Sequence, residues 1–521
     1  MSILIEGELG YRMKKSFSRL ESKYYKPEKI YVIEPGQWPG DWEGRTLLGV
    51  VMLAKTTGMT PDYLSEILED LPNHLNEKGY FDKILPERQF DEQQLSGHNW
   101  FLRAMIELYL WQPDDKYYQI IKRLVENLYL PVTGYYKKYP TRPEDRVFKG
   151  DKSGTLTGSL IEYWYTSSDT GCAYMCLDGL AQAYCVFRFE GLKELLDEMI
   201  ETFMRIDLLH ISMQTHATLS ATRGIMRLYQ LTGETQYLEY VKRVFELYVK
   251  EGMTENYANY NWFGRSGWTE PCAIVDSYIL AFMLYRETLD PMYLDYAVKI
   301  YYNGLGRAQR LNGGFGCDCC VGPEHLALRH DGKILGEAYW CCSMRGADGL
   351  SNVALNTFFE KDHTVYVNHL FPSQYQNDTL KLEVKTKMPY QGYIQMKASG
   401  KGRIKVYIPK YAKNVSCSVE NCFAEFSVDG EETFTITFDI DVEQKSPLGN
   451  NSRKDVFSVW HGDLMLGCRK SEEVALTLDG LKMEAPAVYT KKDIVLQPIN
   501  DEIDLELDDP YDVPVQVLFR K

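Results

Sequence analysis

Two adjacent cysteines, Cys341 and Cys342, lie in the stretch EAYWCCSMRGADGL. Adjacent cysteines are awkward as ordinary core residues, so their chemistry is a disulfide, a metal site or a nucleophile. A second cluster, CDCC, precedes the pair and contains Cys317, Cys319 and Cys320. The choice among the three options depends on which other side chains surround the thiols.

The stretch WTEPCAIVD offers partners for the cysteine pair. It places Glu270 and Cys272 one residue apart, at the start of a helix-like run. Three thiolates and one carboxylate make a four-ligand, tetrahedral zinc site. The spacing alone leaves open the main alternative, in which the thiols are buried and inert.

The composition excludes several classes of partner. The 521 residues contain 58 Lys and Arg against 73 Asp and Glu, a formal charge of −15, which argues against nucleic acid as the main partner. No stretch approaches the roughly 20 apolar residues of a membrane helix, so we expect no membrane partner. Glu6 and Glu8 occupy the place of a signal core, so we expect a cytoplasmic protein with mostly reduced cysteines.

Aromatic residues are abundant, with 38 Tyr, 21 Phe and 9 Trp. Such side chains pack helical cores, and they also stack on sugar rings while their polar ends bond to hydroxyls. Composition does not separate these two roles.

A repeat runs through the first two-thirds of the chain, with copies that begin at residues 60, 114, 235 and 290. Each copy carries a tyrosine at the same place: Tyr63, Tyr117, Tyr237 and Tyr293. Apolar residues follow at helical spacing, and another helix-like run precedes each copy. Helical hairpins over about 340 residues form an open superhelix or an (α/α)6 barrel. We expect the working face at the longest non-helical insertions, 131–170 and 252–270.

The pattern changes near residue 360 to short, alternating runs such as TVYVNHLF and RIKVYIP, separated by turn residues. These runs are typical of an antiparallel β-sandwich. The sequence therefore predicts a mainly α fold with β: a helical barrel over 1–360, followed by a β-sandwich region over 361–521 of one or two small domains.

The combination Glu-x-Cys, followed some seventy residues later by Cys-Cys, resembles glycoside hydrolase family 127 and its relatives, the β-L-arabinofuranosidases. DWEGRTLLGVVMLA resembles the first barrel helix of this family, and GHNWFLRAMIELY and THATLSATRGIMRLYQLTG resemble its histidine-bearing helix starts. CCSMRGADGLSNVALNTFFEKDHTVYVNHLFPS resembles its last barrel helix running into the first sandwich strand. The family fold is an (α/α)6 barrel followed by β-sandwich domains, in agreement with the periodicity.

The resemblance implies a zinc ion and roles for the residues around it. The ligands would be Glu270, Cys272, Cys341 and Cys342, and Cys341 would also be the nucleophile. Glu255, in the loop GMTENYANYNWFG, matches the acid/base glutamate of the family. Glu251 is its nearby competitor.

His98 and His216 match positions where the family places sugar-contacting histidines, although a histidine at a helix start is often structural. Two departures from the family pattern remain. Residues 343–345, SMR, replace a Pro-containing turn and an Asn, so the sugar that is cut is open to change. The CDCC cluster lies outside the pattern; it binds a second metal, replaces a ligand of the first, or packs inertly.

Together these observations predict a zinc-dependent retaining exo-glycoside hydrolase. We expect it to remove β-L-arabinofuranose or a similar pentose-like sugar from an oligosaccharide or glycoconjugate, with a homodimer possible through the β region. Two alternatives stay open at this point. One is another (α/α)6 carbohydrate enzyme, an unsaturated uronide hydrolase or a lyase, with a structural zinc. The other is a non-catalytic carbohydrate-binding relative.

Overall fold

The computed structural model describes most of the chain. The described residues are 2–31, 38–142, 144, 156–317 (backbone only at 156–159), 321–322, 325–328, 336–449, 453–470, 472–501 and 515–521. Two cysteines of the CDCC cluster, Cys319 and Cys320, and part of the predicted 131–170 insertion lie outside these ranges.

Helices make up the first part of the chain. The α-helices are α1 (Gly7–Leu20), α2 (Pro27–Ile30), α3 (Asp41–Thr57), α4 (Leu64–Asp70), α5 (Glu92–Trp111), α6 (Asp115–Leu124), α7 (Cys176–Phe187), α8 (Leu192–Phe203), α9 (Thr215–Thr232), α10 (Thr235–Glu251), α11 (Pro271–Thr288), α12 (Pro291–Lys299), α13 (Gly306–Ala308) and α14 (Cys342–Leu355). Short 3₁₀ or π segments are Leu71–His74, Val125–Tyr129, Leu130–Val132, Tyr136–Lys138, Cys172–Tyr174 and Ile300–Leu305.

Six of these helices form a closed ring. In chain order, α3, α5, α7, α9, α11 and α14 each pack on the next, and α14 packs back on α3. Helices α3, α5 and α11 are buried around most of their circumference, because they have neighbours on both sides and a filled barrel interior. The predicted (α/α)6 barrel is confirmed.

The repeated segments form the outer layer of the barrel. Helices α6, α8, α10 and α12 pack on α5, α7, α9 and α11 respectively, and α1 packs on α3 and α14. The outer helices α6 and α10 bury one face only, as expected of amphipathic helices laid on an inner ring. The repeat tyrosines Tyr117, Tyr237 and Tyr293 are buried on that face, so the repeat encodes packing and not a ligand site.

Strands dominate the second part. They are β1 (Ser2–Ile5), β2 (Phe90–Asp91), β3 (Leu156–Ile161), β4 (Trp164–Ser167), β5 (Ala327–Leu328), β6 (Phe358–Lys361), β7 (Thr364–Val367), β8 (Ser373–Gln376), β9 (Leu380–Thr386), β10 (Gly392–Tyr407), β11 (Phe423–Phe438), β12 (Val442–Lys445), β13 (Val456–His461), β14 (Leu464–Arg469), β15 (Lys482–Ala485), β16 (Val488–Lys491), β17 (Ile494–Pro498), β18 (Val515–Gln516) and β19 (Leu518–Arg520).

The strands form two large sheets and one small one. The first large sheet has the order β1-β8-β9-β10-β7-β6 with β11 also on β10, and the second contains β12-β13-β14-β17-β16-β15 with β5, β18 and β19. The small sheet, β2-β4-β3, lies in the helical part. Pairing is antiparallel in both large sheets except between β10 and β7, which run parallel from Arg403 opposite Thr364.

The two parts of the chain are joined by shared strands. β1, which precedes every helix, pairs with β8, and β5 pairs with β18. The predicted division at 360/361 falls inside β6 and stays a prediction. None of the described helices is long and apolar enough to cross a membrane.

Candidate metal centre and active site

The predicted thiols meet at one end of the barrel, where inner helices begin. Cys272 lies in the first turn of α11, behind Pro271, while Cys341 caps α14 and Cys342 opens it. The Sγ atoms of Cys341 and Cys342 are 3.3 Å apart, and those of Cys272 and Cys342 are 3.9 Å apart. The three sulfurs all lie within 4.8 Å of one another. The structure therefore brings Cys272 to the adjacent pair Cys341 and Cys342, although Cys272 and Cys342 are 70 residues apart in sequence.

The local sequence explains why the thiols lie at helix starts. Proline is favoured in the first turn because its missing N–H has no intrahelical partner there, and Pro271 begins α11 in this way. The N-terminus of a helix carries partial positive charge, which stabilises a thiolate. Two such termini, those of α11 and α14, converge on the sulfurs.

Glu270 and His216 complete the group around Cys272. One ligand atom from each of these three residues lies within 4.8 Å of the others. Glu270 is the N-cap of α11, and His216 lies in the first turn of α9. The side-chain amide of Gln214 donates to the Glu270 carboxylate at 3.4 Å. All of these side chains are buried.

The protonation of His216 follows from its partner. Nδ1 lies 2.7 Å from Oδ2 of Asp276, and a carboxylate accepts, so Nδ1 carries the proton. Nε2 is the other ring nitrogen, and it is buried without a hydrogen-bond partner among the described residues. A histidine fixed in this way by a carboxylate presents its free nitrogen to a metal or to a donor hydroxyl.

Arg45, which the sequence did not single out, is the cation beside the thiols. Its Nη1 donates to Sγ of Cys272 at 3.2 Å, and Asp41 holds its Nε at 2.8 Å. Its guanidinium also lies over Trp100, 4.5 Å from the ring centre, and Trp100 stacks on His216 at 5.3 Å. The available signal was the Asp-to-Arg spacing of four residues in DWEGR, which is that of an ion pair within one helix turn.

The thiols and Glu270 have strongly shifted pKa values. Burial acts to raise the pKa of Cys272, but hydrogen bonds from Cys341 and Cys342 and the charge of Arg45 lower it well below its usual range. The bond to Cys272 raises the pKa of Cys341 well above its usual range. Burial, with the charge of Cys272 beside it, raises the pKa of Glu270 well above its usual range. Cys272 is therefore the thiol of this group that ionises most readily, while Cys341 and Glu270 favour their protonated forms.

The donor set fits a zinc ion. Ligands bonded to tetrahedral zinc at about 2.3 Å place their sulfurs roughly 3.8 Å apart, close to the separations of 3.3 Å and 3.9 Å found here. Thiolates with one carboxylate or imidazole are donors that favour zinc over magnesium or calcium. A divalent cation would also neutralise the charges that burial now penalises.

Further buried polar atoms without partners among the described residues adjoin the start of α9, where His216 lies. Oε1 of Gln214, both side-chain atoms of Asn261 and Nε1 of Trp262 are buried and unbonded within the described ranges. Gln214 bridges to Trp262, and the Thr215 N–H donates to the Asn261 carbonyl at 2.9 Å, so these residues adjoin the start of α9. Buried polar atoms are normally satisfied, and a polyhydroxylated ligand would satisfy these. The predicted 252–270 loop thus supplies part of the site.

Glu255 lies in that same loop, between α10 and α11, and is buried. Its carboxylate accepts a hydrogen bond from the Leu448 N–H at 2.9 Å, and its own N–H donates to the Val321 carbonyl at 3.1 Å. A loop of the β region therefore holds the carboxylate in place. Its competitor Glu251 is the last residue of α10. The acid/base role of Glu255 stays a prediction.

His98 has a different environment from His216. Its Nδ1 lies 2.7 Å from the Gln94 carbonyl, and its Nε2 accepts from the Phe81 N–H at 2.9 Å. Burial lowers the pKa of His98 to about 4, so the ring is neutral. Both nitrogens are engaged by backbone groups, and a sugar hydroxyl would have to replace one of these bonds. The predicted sugar contact of His98 stays a prediction.

The SMR residues that depart from the family pattern are all buried in the barrel wall. Ser343 donates to Glu337 at 2.6 Å, Met344 accepts from Thr46 at 2.9 Å, and Arg345 pairs with Asp276 at 2.7 Å. These contacts brace α14 against its neighbours. The departure is therefore accommodated by packing and ion pairing inside the barrel.

The first cysteine of the CDCC cluster reaches the same site. Sγ of Cys317 lies 3.6 Å from Sγ of Cys342, and the side chain is buried. Spacing in the sequence gave no means to place it there, because the contact depends on the path of the long segment between α13 and α14.

Comparison with known proteins agrees with this geometry. The family model described as "Beta-L-arabinofuranosidase, GH127 catalytic domain" matches residues 66–354. A solved structure described as a glycoside hydrolase has a TM-score of 0.72 at 13% identity, covering 100% of this chain and 96% of that one. No curated protein matches the chain.

Two further solved structures carry the family name. Ara127N, a GH127 β-L-arabinofuranosidase from Geobacillus stearothermophilus T6, has a TM-score of 0.68 at 11% identity, covering 99% of this chain and 94% of that one. The GH127 β-arabinofuranosidase BT3674 has a TM-score of 0.67 at 12% identity, covering 98% and 93%. At these identities the likeness shows the fold. The family model spans more than half of the 521 residues, and the chain therefore belongs to the GH127 family of glycoside hydrolases.

Proposed function

We propose that this glycoside hydrolase is a zinc-dependent retaining exo-enzyme that removes β-L-arabinofuranose, or a similar pentose-like sugar, from an oligosaccharide or glycoconjugate. The observation that carries the proposal is a pair of donor groups that share Cys272: Cys272 with Cys341 and Cys342, and Cys272 with Glu270 and His216. It lies beside buried polar atoms that lack partners among the described residues. One end of the barrel thus supplies both a donor set for a cation and a polar surface for a sugar.

The residues that would hold the ion are Glu270, Cys272, Cys341 and Cys342. When bound, zinc would keep the Cys341 sulfur ionised near neutral pH, where the pKa of the free thiol keeps it protonated. Cys341 is the partly accessible member of the pair, and Cys342 is fully buried. This difference supports Cys341 as the sulfur that meets substrate and Cys342 as a plain ligand.

The reaction runs through two displacements. In the first, the Cys341 sulfur attacks the anomeric carbon, the glycosidic C–O bond breaks, and Glu255 gives its proton to the departing oxygen. In the second, Glu255 takes a proton from water, the oxygen attacks the same carbon, and the C–S bond breaks. Two inversions at one carbon retain its configuration. The product is the free sugar, and both side chains return to their starting states.

His216, Gln214 and Asn261 are the candidate sugar contacts. The Nε2 atom of His216 is an acceptor for a hydroxyl, and the two amides offer both donors and acceptors. Asp276 fixes the imidazole orientation. His98, with both nitrogens bonded to backbone, contributes more readily by holding the Phe81 segment against α5.

The nucleophile is tested by Cys341→Ala with p-nitrophenyl β-L-arabinofuranoside as substrate. We expect kcat/KM to fall by more than about 10⁴-fold, above the usual range for one acid/base group. Cys185→Ala is the control, because this half-buried thiol on α7 bonds to the Arg227 carbonyl and belongs to neither donor group around Cys272. Unchanged turnover in Cys341→Ala would refute the assignment.

The covalent step is tested separately with Glu255→Gln. An activated aryl glycoside needs no proton for departure, so the first displacement proceeds while the second slows. We expect mass spectrometry to find one glycosyl group on the peptide that contains Cys341. Anomeric inversion, seen by proton NMR of the first product formed, would contradict the retaining mechanism.

Product analysis separates the remaining alternatives. A lyase leaves an unsaturated product that absorbs ultraviolet light, and a non-catalytic relative binds arabinosides without turnover. A saturated free sugar, together with about one zinc per chain by elemental analysis, is the expected result.

A further inference from the structure

Cys317 is a fourth thiol at the metal centre, beyond the three that the proposed mechanism uses. Its Sγ lies 3.6 Å from Sγ of Cys342, within the range of the other sulfur separations of the group. It contacts the group at Cys342, whereas Glu270 and His216 gather around Cys272. Three thiols with Glu270 already fill a tetrahedral ion, so Cys317 is surplus in the resting state.

The position of Cys317 is fixed by the two residues that precede it. The Phe315 N–H donates to Oγ of Ser343 at 3.0 Å, and the Phe315 carbonyl accepts from Ala338 at 2.8 Å. The Phe315 ring packs on α14 at Gly346, where a Cβ atom would lie 2.2 Å from the ring. The Gly316 N–H donates to the Ala308 carbonyl at 3.0 Å. The thiol is therefore delivered to Cys342 by an anchored segment.

The same segment of chain also reaches the other half of the proposed active site. Shortly after Cys317, the Val321 carbonyl accepts the N–H of Glu255 at 3.1 Å. Residues on either side of the CDCC cluster thus contact the helix that carries the proposed nucleophile and the loop that carries the proposed acid/base. Inert packing would require neither contact.

In the proposed covalent intermediate, the metal ion would lose one thiolate ligand, and a further thiol could replace it. While Cys341 carries the sugar, its sulfur is a neutral thioether, and the thiolate is the form of cysteine that binds metals well. The ion then has one strong anionic donor fewer, in a buried site where uncompensated charge is costly. A thiol next to Cys342 would restore that donor if it passed its proton to water and bound as the thiolate.

We propose that Cys317 is a reserve ligand of the metal centre, which binds the ion when the Cys341 sulfur is unavailable. This inference rests on the proposed zinc site. It assigns a role to the part of the CDCC cluster that the structure describes. The ligand set would then be Glu270, Cys272, Cys342 and Cys317 during the life of the glycosyl-enzyme.

The test uses Cys341→Ala, in which the sulfur is absent permanently, with Co²⁺ as the probe. Absorbance from thiolate-to-cobalt charge transfer reports the number of bound thiolates, and titration gives the affinity. We expect Cys341→Ala to retain three thiolates. Adding Cys317→Ser should remove roughly one third of the absorbance per bound cobalt and weaken binding by more than about tenfold. Cys317→Ser alone should bind cobalt within about threefold of the unmodified chain, since Cys341 then fills the position.

The control is Cys341→Ala with Cys185→Ser, which removes a half-buried thiol on α7. Circular dichroism and Cys317→Ala in place of Cys317→Ser separate ligand loss from misfolding. Equal spectra and affinities for the Cys317→Ser and Cys185→Ser double variants would overturn the reserve role and leave the zinc site standing. An unmodified chain that takes up neither cobalt nor zinc would overturn the metal centre itself.

Discussion

The barrel interior holds two buried polar clusters that differ in how their charges are balanced. One is the thiol cluster, made of Cys272, Cys341, Cys342 and Glu270. The other, the arginine–aspartate network, joins three aspartates to four arginines across the inner helices: Asp178, Asp276, Asp348, Arg103, Arg223, Arg227 and Arg345. Both clusters are largely buried, with partial exposure at Cys341 and Arg227, and His216 adjoins both of them.

The pKa values of the carboxyl groups differ between the arginine–aspartate network and the thiol cluster. Burial acts to raise the pKa of Asp178 and Asp276, but the surrounding arginines hold both well below the usual range. In the thiol cluster burial prevails, and the pKa of Glu270 is raised well above its usual range. Arg45 is its one adjoining cation among the described contacts, and that cation is shared with Asp41.

A buried cluster that contains its own counter-charges is complete as folded protein, and it rigidifies the barrel. A buried cluster that lacks them needs an ion or a ligand from outside. The comparison therefore assigns structure to the network and chemistry to the thiols. The predictions below test that division, from the largest expected effect to the smallest.

Cys272→Ser should abolish function without unfolding the barrel. Loss of a central thiolate removes the ion, whose contribution of several kcal/mol corresponds to at least about 10³-fold in kcat/KM. Elemental analysis should find zinc reduced from about one per chain to near zero. The melting temperature should match that of the zinc-free unmodified chain. If the melting temperature fell far below that of the zinc-free unmodified chain, the thiols would be structural. The division between a structural network and a chemical thiol cluster would then be wrong.

Asp276→Asn should have the reverse profile. It removes one carboxylate shared by the buried guanidinium groups of Arg223 and Arg345, which keep Asp178 and Asp348 respectively, and loss of a buried ion-pair partner typically costs about 3–5 kcal/mol. Urea unfolding of the metal-free chain measures this loss. Zinc content should persist, because the donor atoms are intact. If the free energy of unfolding stayed close to that of the unmodified chain, the arginine–aspartate network would not be the cluster that stabilises the barrel.

Glu270→Gln should change how the stability of the metal-free chain depends on pH. The folded pKa of Glu270 is raised, so between the unfolded value near 4.5 and the folded pKa the native state binds more protons. Its stability therefore falls as pH rises through this window, by up to about 1.4 kcal/mol per pH unit. The Gln variant lacks this titrating carboxyl group. Its free energy of unfolding should therefore rise relative to that of the unmodified chain as pH increases.

Urea unfolding between pH 5 and 8 measures the slope for both chains in a chelator. Asp276 and Asp178 should affect the free energy of unfolding in the opposite direction. Their lowered pKa values stabilise the folded state above the unfolded carboxyl pKa, and this stability is lost as pH falls through the lowered folded value. Equal slopes for the unmodified chain and Glu270→Gln would show that Glu270 is ionised without a metal.

Thr46→Val should have the smallest effect. Its hydroxyl donates to the Met344 sulfur at 2.9 Å, a neutral bond to a weak acceptor that belongs to neither cluster. We expect a loss of no more than about 1 kcal/mol in the free energy of unfolding, with zinc content and kcat/KM unchanged. A change in zinc content would mean that the SMR region supports the metal centre directly.

The sequence predicted the barrel because apolar periodicity is a local signal. The outer helices repeat a tyrosine and an apolar stripe, and the structure places Tyr117, Tyr237 and Tyr293 on the buried face accordingly. The four donors of the thiol cluster were also predicted, since the spacing of Glu270, Cys272 and the cysteine pair carries the family resemblance. Their roles in catalysis remain predictions.

The contacts that polarise the site were not predictable in the same way. Arg45 and Cys272 lie on different helices, as do His216 and Asp276, and such pairs depend on which helices become neighbours in the ring. Cys317 is placed by a segment without regular periodicity. The parallel pairing of β10 with β7 likewise depends on a long connection and not on residue type.

Strand β1 is synthesised long before β8, the strand with which it pairs. Its four residues pair with Ser373–Gln376, which leave the ribosome only after every barrel helix has been made. At roughly 5–20 residues per second, the first strand waits on the order of tens of seconds for its partner. During that interval its backbone edge is open to pairing with other chains. Successful production of the enzyme thus depends on shielding β1 until its partner strand in the β region emerges.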